Sequence, residues 1–294
     1  MPGPRGSTRL VAVIGDPVRH SLSPVMHNAA FRALDLDWVY VALQVARADI
    51  GTAIAGMRVL GLEGLSVTMP HKQSIGTHLD RLGPTAAHLG AVNTVVRTGG
   101  SLVGESTDGQ GLLDALRDDE GFDPAGRRCL VLGAGGAARA AVLALAQAGA
   151  SEVAVRARRA SAAQAASQLA GSVGAVAPDS AEGDYDLVVN ATPLGMAPAD
   201  PLPADLDRLG PGQLVVDLVY HPATTPLVTG ARARGATAVN GLGMLLHQAA
   251  HAFRLWTAED PPLSVMSAAA LAALAAAPPP VADTLKFPAR DADT

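Results

Sequence analysis

The residue types that suit acid–base work in this chain fall in short polar stretches of its first half. SVTMPHK ends in Lys72, GESTDGQG carries Asp108, and GDPVRHSLSP offers the hydroxyls of Ser21 and Ser23. LGAVNTVV sets Asn93 between apolar residues. These stretches lie at the ends of apolar runs that read as β-strands, and open α/β sheets gather their ligand groups at strand ends. A lysine and an aspartate on loops at one sheet edge can pair across a cleft as a general acid–base couple, with a surface salt bridge as the alternative reading. Two serines on one loop read either as ligand contacts or as solvated caps.

A second kind of chemistry is written in RCLVLGAGGAAR, Arg128 to Arg139, where an apolar run breaks into glycines and then into an alanine-rich helical pattern. The stretch reads as a strand, a tight turn and a helix start. Gly133 allows the turn, Gly135 lets the backbone approach a pyrophosphate, and Ala138 stands where the fingerprint takes Gly or Ala. Ala134, Gly136 and Ala137 complete the nucleotide-facing turn, and the helix N-terminus behind them offers free N–H groups and partial positive charge. An NAD site normally carries an acidic residue about 20 positions further on, against the ribose 2′-hydroxyl. Here EVAVRARR supplies Arg156, Arg158 and Arg159 and no carboxylate at its end. At least one arginine is therefore expected on a 2′-phosphate, Arg158 above the others, which predicts NADP(H); a solvated basic turn is the alternative.

The elements that must position these groups alternate. LVAVIG, WVYVALQV and LEGLSVTMP read as strands, with HNAAFRALDL and DIGTAIAGMRVLG as helices between them, the second closed by Gly61. Pro70 ends the third strand, because proline cannot continue a ladder. This βαβαβ pattern predicts a mostly parallel sheet covered by helices. A second βα series runs from Cys129 through EVAVRA, YDLVVNAT and QLVVDLVY. The fold class is therefore α/β in two domains, joined near Gly109 to Arg127. GLGMLLHQAAHAFRLW reads as a helix with no strand after it. The proline-rich, polar end is expected to be disordered.

Composition agrees with this and restricts it. A chain of 294 residues with 49% hydrophobic content can bury two cores. A net charge of −5 offers no electrostatic case for nucleic acid. The single Cys129 excludes a disulfide framework within the chain and fits a reducing compartment. LVAVIG is too short for a signal-peptide core, and no stretch approaches the ~18 to 20 apolar residues of a membrane span. The expectation is a soluble, cytoplasmic protein acting on a small molecule, as a monomer or homodimer. His247 and His251 are four apart, but Gln248 follows the first where a metalloprotease motif has Glu, and no metal is expected. Asp217 reads as a cap of its strand-end loop.

Taken together and in order, GDPVRHSLSPVMHN, LSVTMPHK, GAVNTVV, GESTDGQGLL, GAGGAARA, NATPLGM, DLVY and GLGMLLHQAAHAF resemble the shikimate dehydrogenases, from Gly15 to Phe253. The resemblance implies a substrate-binding domain over 1–110, completed by a C-terminal helix over 241–275 that returns to it. It implies a Rossmann-type NADP-binding domain over 111–240 and leaves 276–294 as a tail. By that likeness Ser21, Ser23, Ser66, Thr68, Asn93, Asp108, Tyr220 and Gln248 contact a hydroxylated cyclohexene acid, with Lys72 and Asp108 as the catalytic pair. Thr192, Gly241 and Met244 then lie on the cofactor side. Reducing a ring ketone takes a hydride to carbon and a proton to oxygen, and Lys72 suits the second task. A free lysine has a pKa near ~10.4, so turnover in the oxidative direction should improve as pH rises.

The chain departs from the family where Asn-Val-Thr reads Ser66-Val67-Thr68, where Asn-Thr-Asp reads Ser106-Thr107-Asp108, and where Asn-Arg-Thr reads Ala157-Arg158-Arg159. The two serines each exchange an amide for a shorter hydroxyl. The expected activity is NADPH-dependent reduction of 3-dehydroshikimate to shikimate. A quinate or aminoshikimate dehydrogenase, or a non-catalytic nucleotide- or ligand-sensing protein of the same fold, is the alternative.

Overall fold

The computed structural model describes residues 3–276, so the tail expected over 276–294 lies outside the described residues except for its first position. The first sheet is built from β1 (Arg9–Gly15), β2 (Trp38–Gln44), β3 (Gly64–Val67), β4 (Arg81–Leu82), β5 (Thr94–Thr98) and β6 (Ser101–Glu105), in the order β2-β1-β3-β5-β6-β4. β1 is buried on both faces, as a central parallel strand must be, and pairs in parallel with β2 and β3. The helices α1 (Ser23–Ala33) and α2 (Ile50–Leu60) supply the crossovers.

The sheet is mostly parallel, as the sequence predicts, with one antiparallel strand that the βαβαβ reading did not include. β5 runs antiparallel to both β3 and β6. TVVRT-GG-SLVGE is a hairpin, and Gly99 and Gly100 both take positive φ, 57° and 84°, as a two-residue turn matched to strand twist requires. The double glycine between apolar runs was the available signal. The hairpin turns the chain back so that Asn93 and Asp108 flank it at the same sheet edge. The short α3 (Pro84–Leu89) lies before β5.

The second sheet is wholly parallel. β7 (Arg128–Leu132), β8 (Glu152–Arg156), β9 (Gly174–Val176), β10 (Leu187–Asn190), β11 (Leu214–Asp217) and β12 (Thr237–Asn240) take the order β12-β11-β10-β7-β8-β9. α5 (Gly136–Gln147), α6 (Ala160–Ser167) and α7 (Pro226–Ala233) cover it. The sequence reading passed over β9 and β12, each at a sheet edge and no longer than four residues.

Between the sheets run α4 (Asp108–Asp114), continued by a π-helical turn over Ala115–Asp119, and α8 (Leu242–Thr257), which packs on α4. The single C-terminal helix expected over 241–275 is two helices. Ala258 in a left-handed conformation and Pro261-Pro262 break it, and α9 (Leu263–Ala276) then folds onto α1. The two halves are fastened by Arg139 of α5, which donates from Nε and Nη2 to the Leu89 carbonyl at 2.9 and 2.7 Å over a shared patch of Leu89, Ala91, Ala140 and Leu143. Among the described residues no helix is long and apolar enough to cross a membrane.

Candidate active site

One cleft of about 460 Å³ lies between the two sheets. Ser21, Ser23, Ser66, Thr68, Lys72, Asn93, Asp108, Tyr220 and Gln248 all line it, facing Gly135, Gly136, Ala137, Thr192, Gly241 and Met244. Fifteen residues named from distant stretches of sequence thus share one space.

At its base Lys72 Nζ donates to Asp108 Oδ2 at 2.5 Å. Asp108 is buried and begins α4, where a carboxylate also meets the favourable end of the helix dipole. Its second oxygen accepts from Asn93 Nδ2 at 2.8 Å, and that amide also faces Thr107 Oγ1 at 2.8 Å and Gln248 Oε1 at 3.3 Å. Asn93 Oδ1 accepts from the Thr107 backbone N–H at 2.8 Å. The loops holding these groups are laced through the backbone as well, since Val92 N donates to the Lys72 carbonyl at 2.8 Å and Val67 N to that of Asn93 at 2.7 Å. Asn93 therefore works through Asp108 and Thr107 as much as toward the cavity. Sequence reasoning had not singled out Thr107, though it precedes Asp108 directly.

The nucleotide-side wall depends on backbone. Gly133 sits at φ +114°, and a Cβ there would come within 3.0 Å of the Ala191 carbonyl oxygen, so the strand-to-helix turn needs glycine. α5 then starts with Gly135 as its N-cap and no side chain capping its first N–H groups. A Cβ on Gly136 would meet Lys72 Cδ at 3.1 Å, so the turn and the lysine stem pack directly on each other. Thr192 is held by Asn190, whose Oδ1 accepts from Thr192 Oγ1 at 2.6 Å. Asn190 Nδ2 in turn donates to Asp217 Oδ1 at 2.8 Å, and Thr225 Oγ1 donates to Asp217 Oδ2 at 2.6 Å. Asp217 is wholly buried and its carboxyl is pushed up by that burial, against those hydrogen bonds. It braces the strand-end loops beneath the cleft, as its reading as a cap anticipated.

Gly133 and Ala134 lie behind the cleft lining, in the turn itself. The three arginines divide. Arg156 points into the protein, where Nη2 pairs with buried Glu182, so it is committed to a structural ion pair instead of standing ready for an anion. Its register beside Leu132 on the inward face of the parallel sheet dictates this. Arg158 and Arg159 are exposed just past the end of β8. His20, Arg47 and Gln73 also line the cleft and were not anticipated. His247 and His251 face Asp119 and Asp114, tying α8 to the α4 segment. Cys129 is buried in β7 and its thiol is pushed up to about 12 by burial.

A Rossmann-type parallel sheet set across a cleft from a mixed sheet carrying a lysine paired to a buried aspartate defines a two-domain α/β protein of the dehydrogenase kind. The family model for the shikimate dehydrogenase substrate binding domain matches residues 13–95, and that for the shikimate 5'-dehydrogenase C-terminal domain matches 241–271. Over 278 residues the chain is 47% identical to the shikimate dehydrogenase (NADP(+)) of Moorella thermoacetica, covering 89% of this chain and 92% of that protein. The crystal structure of shikimate 5-dehydrogenase from Thermus thermophilus in complex with NADP(H) and shikimate superimposes with a TM-score of 0.84 at 38% identity, covering 90% of this chain and 100% of that one. The quinate dehydrogenase of Corynebacterium glutamicum in complex with NAD gives 0.81 at 34% identity, covering 90% and 99%. The chain belongs to the shikimate dehydrogenase family.

Proposed function

We propose that this chain is an NADP-dependent shikimate dehydrogenase that reduces 3-dehydroshikimate to shikimate with NADPH, the step that serves chorismate and aromatic amino acid biosynthesis. The observation that carries the reading is the pairing of Lys72 with Asp108 at 2.5 Å in a cleft whose opposite wall is the glycine turn. The residues on that wall fit a dinucleotide: the uncapped N-terminus of α5 suits a pyrophosphate, and a Cβ on Gly135 would point into open space where an anion can approach. Gly133 to Ala137 would hold the pyrophosphate, Arg158 and Arg159 the 2′-phosphate, and Thr192, Gly241 and Met244 would border the nicotinamide.

When bound, the nicotinamide supplies the hydride. Lys72 supplies the proton from Nζ to the oxygen of the reduced carbonyl and steadies negative charge as it forms there. Asp108 keeps Nζ in place through Oδ2, is itself held by Asn93, and accepts a neighbouring ring hydroxyl. Ser21 and Ser23 take the carboxylate; Thr68, Asn93 and Gln248 take the hydroxyls, with Tyr220 along the cleft wall. The protein works in the cytoplasm as a monomer or homodimer.

The test is a spectrophotometric comparison of shikimate, quinate and aminoshikimate with NADP+ and NAD+. Shikimate with NADP+ should give the highest kcat/KM; another acid leading, or no turnover of any, would reject the reading.

A further inference from the structure

The helix that follows the cleft serines does more than carry them. Ser23 and His27 lie one turn apart on the same face of α1. His27 is fully buried, and its ring lies parallel to that of Tyr40 on β2, centroids 4.5 Å apart and planes within 7°. The next residue, Asn28, grips the Tyr40 backbone: Nδ2 donates to the carbonyl at 2.8 Å and Oδ1 accepts from the N–H at 2.9 Å. Trp256 and Phe253 of α8 close the same aromatic cluster. Tyr40 is thereby fixed in ring and backbone together.

That fixed phenol ends at the back of the cleft. Strand register puts Tyr40, Val11, Val13 and Ser66 on one face of the sheet. The Tyr40 hydroxyl is buried and lies close to the Ser66 and Ser23 hydroxyls, yet neither contact has the length and angle of a hydrogen bond. Both serines line the cleft and Tyr40 stands behind them. Burial pushes the phenol well above its usual range and lowers the His27 imidazole to about 3, so a neutral O–H donor sits on a neutral ring at any working pH. A buried hydroxyl left unmated destabilises the fold, and phenylalanine would fill the same cluster without that cost.

We propose that Tyr40 is a positioning residue for substrate selection: its hydroxyl donates to Ser66 or Ser23 once those serines give their own protons to a carboxylate or hydroxyl of a ring acid. The hydrogen-bond chain is then complete only with ligand present, and each member strengthens the next. Ser66 is part of the device, since a hydroxyl can accept from Tyr40 while donating forward. The inference rests on the reading of the cleft as a shikimate site.

Tyr40→Phe removes one oxygen and keeps the ring stack. The expected result is a shikimate KM raised on the order of fivefold, the worth of one hydrogen bond, with kcat and the KM for NADP+ near wild type. The melting temperature should be equal or higher, and shikimate should raise it less than in the wild type. A structural hydroxyl would instead lower the melting temperature and leave the KM alone, which overturns the proposal. In a background with both Ser66→Ala and Ser23→Ala the effect of Tyr40→Phe on the shikimate KM should disappear; undiminished loss there also counts against it. Wild-type turnover of shikimate tests the underlying reading separately, because the proposal concerns the ratio between variant and wild type.

Discussion

On one wall of the cleft Lys72, Asp108, Asn93 and Gln248 hold one another through side chains, whereas on the other Gly135, Gly136 and Ala137 offer little beyond backbone. The first wall is mutually dependent, with Asn93 and Asp108 buried and Lys72 and Gln248 half-buried; the groups beyond the second, Arg158 and Arg159, are exposed and separate. On the proposed function, the difference separates where reaction and preference would reside. A network with its oxygens so engaged would then fix a proton at one atom, and losing a member would disable the reaction. On the same proposal, exposed arginines on a turn would weight one cofactor over another and could be lost singly.

The largest expected effect follows from the buried wall. Lys72→Met should lower kcat by roughly 10²-fold or more, with a much smaller change in KM, because it removes a proton donor that acts in the transition state. Steady-state rates of shikimate oxidation check this. A near-normal kcat would make the pair a structural salt bridge.

Next comes the exposed wall. Arg158→Ala should lower kcat/KM with NADP+ by about tenfold or more, the scale of a charge-assisted hydrogen bond, and leave NAD+ nearly untouched. If Arg159→Ala does this instead, the 2′-phosphate lies one residue further on.

A smaller effect is expected from Ser66→Asn. Restoring the longer amide should tighten shikimate binding by a few-fold and lower quinate side activity, since shape and one contact discriminate by only about 1 to 3 kcal/mol. Isothermal titration with shikimate and rates with both acids check it; unchanged binding would mean that position 66 does not reach the ligand.

The fourth expectation concerns stability alone. Burial lowers the His27 pKa from 6.5 to about 3. A histidine depressed in the fold contributes stability that is present above its unfolded pKa and lost as pH falls toward the folded one, because the unfolded chain binds the proton first. Melting temperature should therefore fall between about pH 6.5 and 4, and His27→Phe should flatten that fall while keeping the aromatic stack.

The contrast between the walls also explains what the sequence disclosed. Lys72, Asp108 and the glycine turn were readable because short polar motifs at strand ends have few structural uses, and the parallel strands because a doubly buried strand must be apolar throughout. The β5–β6 hairpin escaped because its short runs adjoin polar motifs and were read only for Asn93 and Asp108, although Gly99-Gly100 marked it. Arg156 was misread because its side depends on the alternation of β8 in register with β7, which turns it inward to Glu182. Tyr40 was invisible for a related reason, whereas Thr107 stood inside the GESTDGQG motif and was passed over. The importance of Tyr40 comes from what stands behind a motif in space, and local spacing does not record it.

The most direct test of the account is the ratio of kcat/KM for NADP+ over NAD+ in the wild type, Lys72→Met and Arg158→Ala, measured with shikimate. If reaction and preference reside on separate walls, Lys72→Met loses activity with both cofactors alike and keeps the wild-type ratio, while Arg158→Ala keeps its NAD+ activity and loses the ratio. A ratio that collapses in Lys72→Met, or an Arg158→Ala enzyme that loses both cofactors equally, would contradict it.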